Sequence, residues 1–271
     1  MLEAAAVAAE WAAAEGWNPG VDDAERFARA DPGAFLCIEL DGEVVATVSC
    51  ALYGEDYAFV GFYFVREDLR GQGLGLELFQ RALSRAGDRV VGLDGVLEQQ
   101  ETYERSGFEF AHRNMRYEGS GGGRRPREVV DLTDVPREEL LAYDASIFGT
   151  ERREFLEAWI AGRPAGMTLA APDGSGLAGY AVGRRCGEGV KVGPLFADDP
   201  DTADALFRGL AAAAGDRTPL FLDVPEPNEE ALALTRRYGM QPVFATARMY
   251  RGGEPDEDVS RVYGVTTFEF G

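Results

Sequence analysis

Apolar residues recur every three to four positions over 2–15 and 22–30, which predicts two helices that each bury one face. They then alternate with polar residues over 35–40 and 43–53, two strand-like runs that meet at Asp41-Gly42. That dipeptide suits a type I′ turn, so the two runs should form a hairpin. Residues 56–65, dense in aromatic and β-branched side chains, read as a third strand. Helical spacing returns over Leu74–Ala86, with Leu76, Phe79 and Leu83 on one face, and a short buried strand at 89–93 and a helix ending near Ser106-Gly107 follow. The run 119–126, Gly-Ser-Gly-Gly-Gly-Arg-Arg-Pro, offers almost no side chain to bury. It is expected to be a linker between a first domain, 1–118, and a second, 127–271.

The second half repeats the order of the first. Val60-Gly61 corresponds to Val192-Gly193 at an offset of 132, Leu78-Phe79 to Leu206-Phe207 at 128, Leu93-Asp94 to Leu222-Asp223 at 129, and Gly107 to Gly239 at 132. Matches in this order imply two similar domains in tandem. The fall from 132 to 128 puts a deletion where the first half has a glycine-rich loop.

At 271 residues and 45% hydrophobic content the chain can bury substantial cores. Cys37, Cys50 and Cys186 form neither a disulfide framework nor a zinc pattern, which points to a reducing, cytoplasmic setting. A single histidine argues against a metal centre. The opening segment carries Glu3, Glu10 and Glu15 and no basic residue, the wrong charge for a signal or transit peptide. No apolar run is long enough to span a bilayer, so no membrane role is expected. The net charge of −20 is shared between the halves, with 10 basic and 22 acidic residues in 1–118 and 17 and 25 in 119–271, which disfavours nucleic acid as a partner. A cationic acceptor would be attracted, although such a charge also serves solubility.

The segment from Val65 to Gly75 leaves the third predicted strand and enters a helix. Its glycines permit a tight turn with successive N–H groups facing inward, and the helix N-terminus adds partial positive charge. A pyrophosphate is the natural guest of such a turn. The spacing matches neither a P-loop nor the GxGxxG of a dinucleotide fold. On Arg70, Gly73 and Gly75 the sequence resembles the GNAT acyltransferase superfamily, whose signature is Arg/Gln-x-x-Gly-x-Gly/Ala. The resemblance implies α/β (α+β) domains, each a mixed, mostly antiparallel sheet flanked by helices. It also implies that the loop amides of Arg70, Gly71, Gln72, Gly73, Leu74 and Gly75 hold the pyrophosphate of acetyl-CoA, while the backbone at Phe64 and Val65 aligns the pantetheine arm and acyl carbonyl. Trp17-Asn18-Pro19-Gly20, Gly61-Phe62-Tyr63, Gly92-Leu93-Asp94-Gly95 and residues 103–108 are similar to a bacterial subfamily with a second GNAT-like half. Such domains usually open with a strand, whereas here a helix begins almost at Met1. The sheet is therefore expected either to start one strand late or to draw a strand from upstream of Met1.

Acyl transfer from a thioester to an amine needs a neutral amine, a polarised carbonyl and a proton for the leaving thiolate. The resemblance makes Tyr103, at the family's spacing before Gly107-Phe108, the candidate acid; a tyrosine there could equally be core. For the base, Asp94 is the first choice because it follows the strand beside the expected acceptor cleft; turn capping, Glu98, Glu55, Asp56 or a water are alternatives. Gln99 and Gln100 could hydrogen-bond an acceptor, and His112 reads as filler in the last strands. Trp11, Trp17, Phe27, Tyr53, Tyr57, Phe62 and Tyr63 crowd the expected entrance; core is the default reading at alternating strand positions, and if Trp17 or Tyr63 lines the cleft, the wall suits a small amine with an apolar or cationic part.

In the second half Ala197-Asp198-Asp199-Pro200-Asp201 replaces the glycine loop, and Thr235 stands where Tyr103 does. Three aspartates would repel a pyrophosphate, so this half is expected to be non-catalytic and to help shape the acceptor site. Asp144, Phe148, Arg152 and Arg153 could reach across, with a helix bearing a solvated Arg face as the plainer reading. Acetyl transfer from acetyl-CoA to a small amine is the expected activity, and an acyl-CoA sensor without turnover is its rival.

Overall fold

The first half opens with α1 (Leu2–Ala14) and α2 (Asp23–Ala30), followed by β1 (Phe35–Leu40), β2 (Glu43–Tyr53) and β3 (Tyr57–Val65). It continues with α3 (Leu74–Ala86), β4 (Val90–Val96), α4 (Gln100–Glu104) and β5 (Glu109–Ser120). The computed structural model describes residues 2–174 and 176–271, and the expectation about a strand at or before Met1 lies outside the described residues. Asp41 and Gly42 both take positive φ, 53° and 85°, as the hairpin required. On α3 the buried stripe is Gly75, Leu78, Phe79, Ala82 and Ala86. Leu76, expected on that face, is 56% exposed, because it lies about 200° around the helix from Leu78.

The second half contains β6 (Val130–Asp131), α5 (Arg137–Phe148), α6 (Arg153–Ile160), β7 (Thr168–Pro172), β8 (Leu177–Arg185) and β9 (Val190–Ala197). After these come α7 (Pro200–Ala214), β10 (Pro219–Pro225), α8 (Glu229–Arg237), β11 (Gln241–Arg251) and β12 (Val262–Gly264). All strands join one mixed, mostly antiparallel sheet in the order β1-β2-β3-β4-β11-β5-β10-β9-β8-β7-β6, with β12 beside β9. Among the described residues, no helix is long and apolar enough to cross a membrane.

The centre of that order is an exchange. β11 of the second half pairs with β4 of the first, β5 of the first pairs with β10 of the second, and β5 and β11 pair with each other, all antiparallel. Two buried ion pairs stitch the exchange. Arg248 faces Asp94 across β11 and β4, and Arg116 faces Asp223 across β5 and β10. The two pairs are equivalent in the repeat, since Asp94 and Asp223 are 129 residues apart and Arg116 and Arg248 are 132 apart.

The first two residues of the expected linker are strand, and the rest form the irregular connection from β5 to β6. Gly119 and Ser120 complete β5 opposite Leu220 and Pro219. Gly121 N–H then donates to Thr218 O at 2.7 Å and Gly122 N–H to Ala211 O at 2.7 Å. The glycines allow close approach to α7 instead of conferring slack: a side chain on Gly121 would meet the Gly215 carbonyl at 2.6 Å. A cut at 118 falls inside a shared strand.

A core between the halves stacks Phe27 on Phe270 (4.0 Å), Trp159 (5.6 Å) and Phe155 (6.4 Å). The segment following β12 lies in this seam. It passes so close to Gly61 and Gly193, equivalent glycines of β3 and β9, that a Cβ on either would overlap the backbone of Glu269 or Thr266. The seam also corrects the reading of 144–153. Arg152 is 2% exposed and donates to both Asp144 oxygens at 2.8 Å, with its guanidinium 3.8 Å from the centre of the Phe148 ring. Phe148 in turn reaches Tyr53 and Tyr57 of the first half at 5.4 and 5.6 Å. Only Arg153 is the solvated residue expected there, paired with Glu138 at 2.9 Å.

Candidate functional site

β3 and β4 run parallel and pair from Tyr57 to Val60 against Val90 to Leu93, after which they part. Just beyond the last pair, β3 bulges: Thr47 pairs with Phe64 and Ser49 with Gly61, which leaves two residues of β3 opposite Val48. Phe62 accordingly sits at φ 46°, and its carbonyl accepts the Thr47 hydroxyl at 3.0 Å. A parted strand pair with a bulge exposes backbone polar groups at the end of β3, and a cleft of about 560 Å³ opens there.

The cleft passes through the sheet. Tyr63, Phe79 and Tyr103 on its walls belong to the core on the α3 face, while Trp17, Phe62, Phe64 and Phe268 belong to the core shared with α1 and α2. On the α3 side the wall is the predicted loop: Val65, Arg70, Gly71, Gly73 and Gly75 all line it. Gly73 occupies the N-cap of α3 in the left-handed region (φ 86°), and no side chain caps the helix. The first-turn N–H groups thus keep their capacity for an external acceptor, with the helix dipole adding to it. A Cβ on Gly71 or Gly73 would touch nothing within 4 Å, so the space in front of these amides is open. Gly75 lets α3 close on β3; a Cβ there would lie 2.5 Å from the Tyr63 hydroxyl and 2.8 Å from Val65 Cγ2. Arg70 folds back, Nε to Val65 O at 3.0 Å, and lies 3.7 Å from Glu15. Gln72 is exposed and Leu74 half-buried.

The equivalent turn in the second half has the opposite character. Asp199 caps α7 with its own carboxylate, accepting from the N–H groups of Asp201 and Thr202 at 2.9 Å, and Pro200 removes a donor. Asp198 is bound by Arg261 at 2.5 Å and Tyr143 at 2.8 Å. The amides that are open at α3 are satisfied internally at α7. Thr235, the counterpart of Tyr103, is buried and donates to Leu232 O at 2.9 Å.

The comparisons with known proteins agree with this division. A model described as the acetyltransferase (GNAT) family matches residues 4–108, and one described as an acetyltransferase (GNAT) domain matches 140–264. Holothin acyltransferase of Pseudoalteromonas sp. (strain SANK 73390) is 32% identical over 273 residues, covering 100% of this chain and 92% of the relative. The chain belongs to the GNAT acyltransferase family. Among solved structures, a putative acetyltransferase from Pyrococcus horikoshii superposes with a TM-score of 0.79 at 26% identity, covering 91% of this chain and 83% of that one. A tandem GNAT protein from the clavulanic acid biosynthesis pathway shares the fold, with a TM-score of 0.52 at 15% identity over 82% of this chain and 85% of that one. This GNAT chain is therefore an enzyme, an acyltransferase of two tandem domains, in a family that generally uses acyl-CoA.

Within this GNAT site the sequence-derived candidates separate. Tyr103 faces the cleft, half-buried between Phe79 (5.9 Å) and Phe108 (6.4 Å), with its ring against Gly95. Burial, with the neighbouring Tyr63 phenol, pushes its pKa up and keeps it protonated. Asp94 fares differently. Its side chain has no exposed surface, Arg248 donates to both oxygens at 3.0 and 2.7 Å, and Asn114 adds a bond at 2.7 Å. Burial raises the pKa of its carboxyl, against the opposing pull of Arg248. Asp94 is among the residues that line the cleft, and Asp223 makes the same pair in the half with a self-capped loop, so the ion pair itself belongs to the exchange.

Glu55 and Asp56 lie exposed in the β2–β3 turn. Gln99 lines the cleft, while Gln100 donates to Glu104 at 3.0 Å. His112 is half-buried in β5, where burial and the Arg248 charge lower its pKa to about 4. Of the aromatic residues at the expected entrance, Trp17, Phe62 and Tyr63 line the cleft, whereas Phe27, Tyr53 and Tyr57 are buried in the seam between the halves. Sequence reasoning missed Phe268. It has no motif around it, and only the path of the C-terminal segment brings it to the wall.

Proposed function

We propose that this enzyme transfers the acetyl group of acetyl-CoA directly to the amine of a small molecule. The observation that carries the reading is the uncapped N-terminus of α3, fronted by open space at Gly71 and Gly73 and continuous with a cleft that Tyr103 lines. The donor's pyrophosphate fits these amides, and its arm follows the parted end of β3 at Phe64 and Val65. With the donor entering on the α3 face, the acceptor amine approaches from the face carrying α1 and α2. Its nitrogen attacks the thioester carbonyl carbon, the carbon–sulfur bond breaks, Tyr103 gives its proton to the leaving thiolate, and the amine proton departs to solvent. The Pseudoalteromonas relative is named for holothin, which makes holothin the first acceptor to try.

The test is calorimetric titration of the whole chain with acetyl-CoA, followed by release of CoA thiol across a panel of amines and alcohols that includes holothin. One binding site and amine-dependent thiol release are expected. Tight binding with no turnover on any acceptor would instead favour the sensor, and no binding would remove the donor assignment.

A further inference from the structure

The acceptor side of the cleft is built by both halves. Trp17 lies against Phe64 with ring centres 4.7 Å apart, and the Trp17 carbonyl accepts two buried cations, Arg116 Nη1 at 2.8 Å and Lys191 Nζ at 2.8 Å. Arg116 is held by both oxygens of Asp223 at 2.7 and 2.8 Å. The same guanidinium sits 4.9 Å from the ring centre of Phe268, whose other neighbour is Phe244 at 6.2 Å. One clamped arginine thus positions two aromatic walls, Trp17 from the first half and Phe268 from the end of the second.

The acidic residues that line the cleft, Glu15 and Asp94, each face an arginine. Asp94 is closed by Arg248, Asp223 by Arg116, and Glu15 lies 3.7 Å from Arg70 at the loop. Phe62 and Phe64, which line the cleft on the same face as Trp17 and Phe268, are apolar as well. A polycationic acceptor attracted by the overall negative charge would find few free carboxylates at the end of its path.

We infer that Phe268 and Trp17 form a composite specificity wall, and that the acceptor is a primary amine carrying a flat, uncharged aromatic or heteroaromatic ring. A ring laid against these faces gains stacking and apolar contact, and it directs the amine toward the parted end of β3. The second half then serves the reaction through one ring on the acceptor side, and Arg116 is a positioning residue for that ring. This inference rests on the acyl-transfer reading above.

The experiment uses the full-length enzyme, acetyl-CoA, and tryptamine, 2-phenylethylamine, spermidine and putrescine as probes, following CoA thiol release. Ring-bearing amines should be acetylated and the polyamines not. Phe268→Ala should raise the KM for the best ring-bearing amine by about tenfold, while the acetyl-CoA KM stays within about twofold. Phe268→Leu, which keeps most of the volume but loses the flat face, should fold as the wild type and show the same split. Turnover of spermidine or putrescine in preference to the ring amines would overturn the inference and leave acyl transfer standing. So would an acceptor KM unmoved by Phe268→Leu. Failure to bind acetyl-CoA at all would remove the transfer reading and the inference with it.

Discussion

Replacing Asp94 with Asn separates a structural from a catalytic carboxylate. Asn preserves the shape and one acceptor but removes the negative charge that faces Arg248, a guanidinium that is 2% exposed. Breaking a buried, hydrogen-bonded pair from one side costs about 3–5 kcal/mol, since the surviving charge is left uncompensated. Here the lower end, about 3 kcal/mol, is expected, because Glu257 lies 3.8 Å from Arg248 Nη1 and supplies part of the missing charge. Since the pair joins β4 to β11, the loss should fall on the whole exchanged sheet as a lower urea midpoint with an unchanged slope. The double variant Asp94→Leu/Arg248→Met, which exchanges the ion pair for apolar groups, should recover most of that loss. Equilibrium unfolding and steady-state kinetics on the same preparations decide the matter. A variant that unfolds like the wild type yet loses kcat by orders of magnitude would refute this reasoning and return Asp94 to the base role.

Three further outcomes are expected. Gly73→Glu places a carboxylate before the α3 amides and should weaken acetyl-CoA binding by about 100-fold or more, with a modest stability cost from its left-handed backbone; unchanged affinity in calorimetry would refute the loop assignment. Tyr103→Phe should lower kcat by about 10²–10³ with donor affinity unchanged, and a fully retained rate would remove it as the acid. His112, the single histidine, has a folded pKa lowered to about 4, below the 6.5 of the free side chain. Its stabilising share is therefore present above pH 6.5 and is lost as pH falls from there toward 4, an effect of about 1–3 kcal/mol. His112→Gln should flatten the urea midpoint between pH 6.5 and 5, where carboxylates scarcely titrate, and an unaltered slope there would contradict this account.

Much of the local structure was legible because it is set by neighbours in sequence. The periodicities over α1, α2 and α3, the hairpin at Asp41-Gly42 and the glycine turn before α3 all concern residues within one turn or one strand of each other. The contrast between Gly73 and Asp199 as helix caps belongs here too, and so does the repeat. The meaning of one repeated feature was not legible. Leu93-Asp94 and Leu222-Asp223 mark a shared structural position, but the arginines that face those aspartates stand 154 and 107 residues away in the chain, so the sequence shows a carboxylate beside a cleft and not its partner. At Gly121 and Gly122, likewise, composition shows freedom in the backbone and not the helix that comes to rest against it.

The sequence by itself determined the elements, the anion-binding turn and the loss of that turn in the second half, since each follows from side chains and backbone freedom within a short stretch. Only the tertiary structure decided that the two halves exchange β5 and β11 into one sheet. It alone decided that Asp94 and Asp223 are the paired carboxylates of that exchange, and that Phe268 reaches the cleft of the other half. Strand partners and buried charge pairs are chosen by the fit of whole surfaces, and residues more than a hundred positions apart leave no local pattern from which that fit could be read.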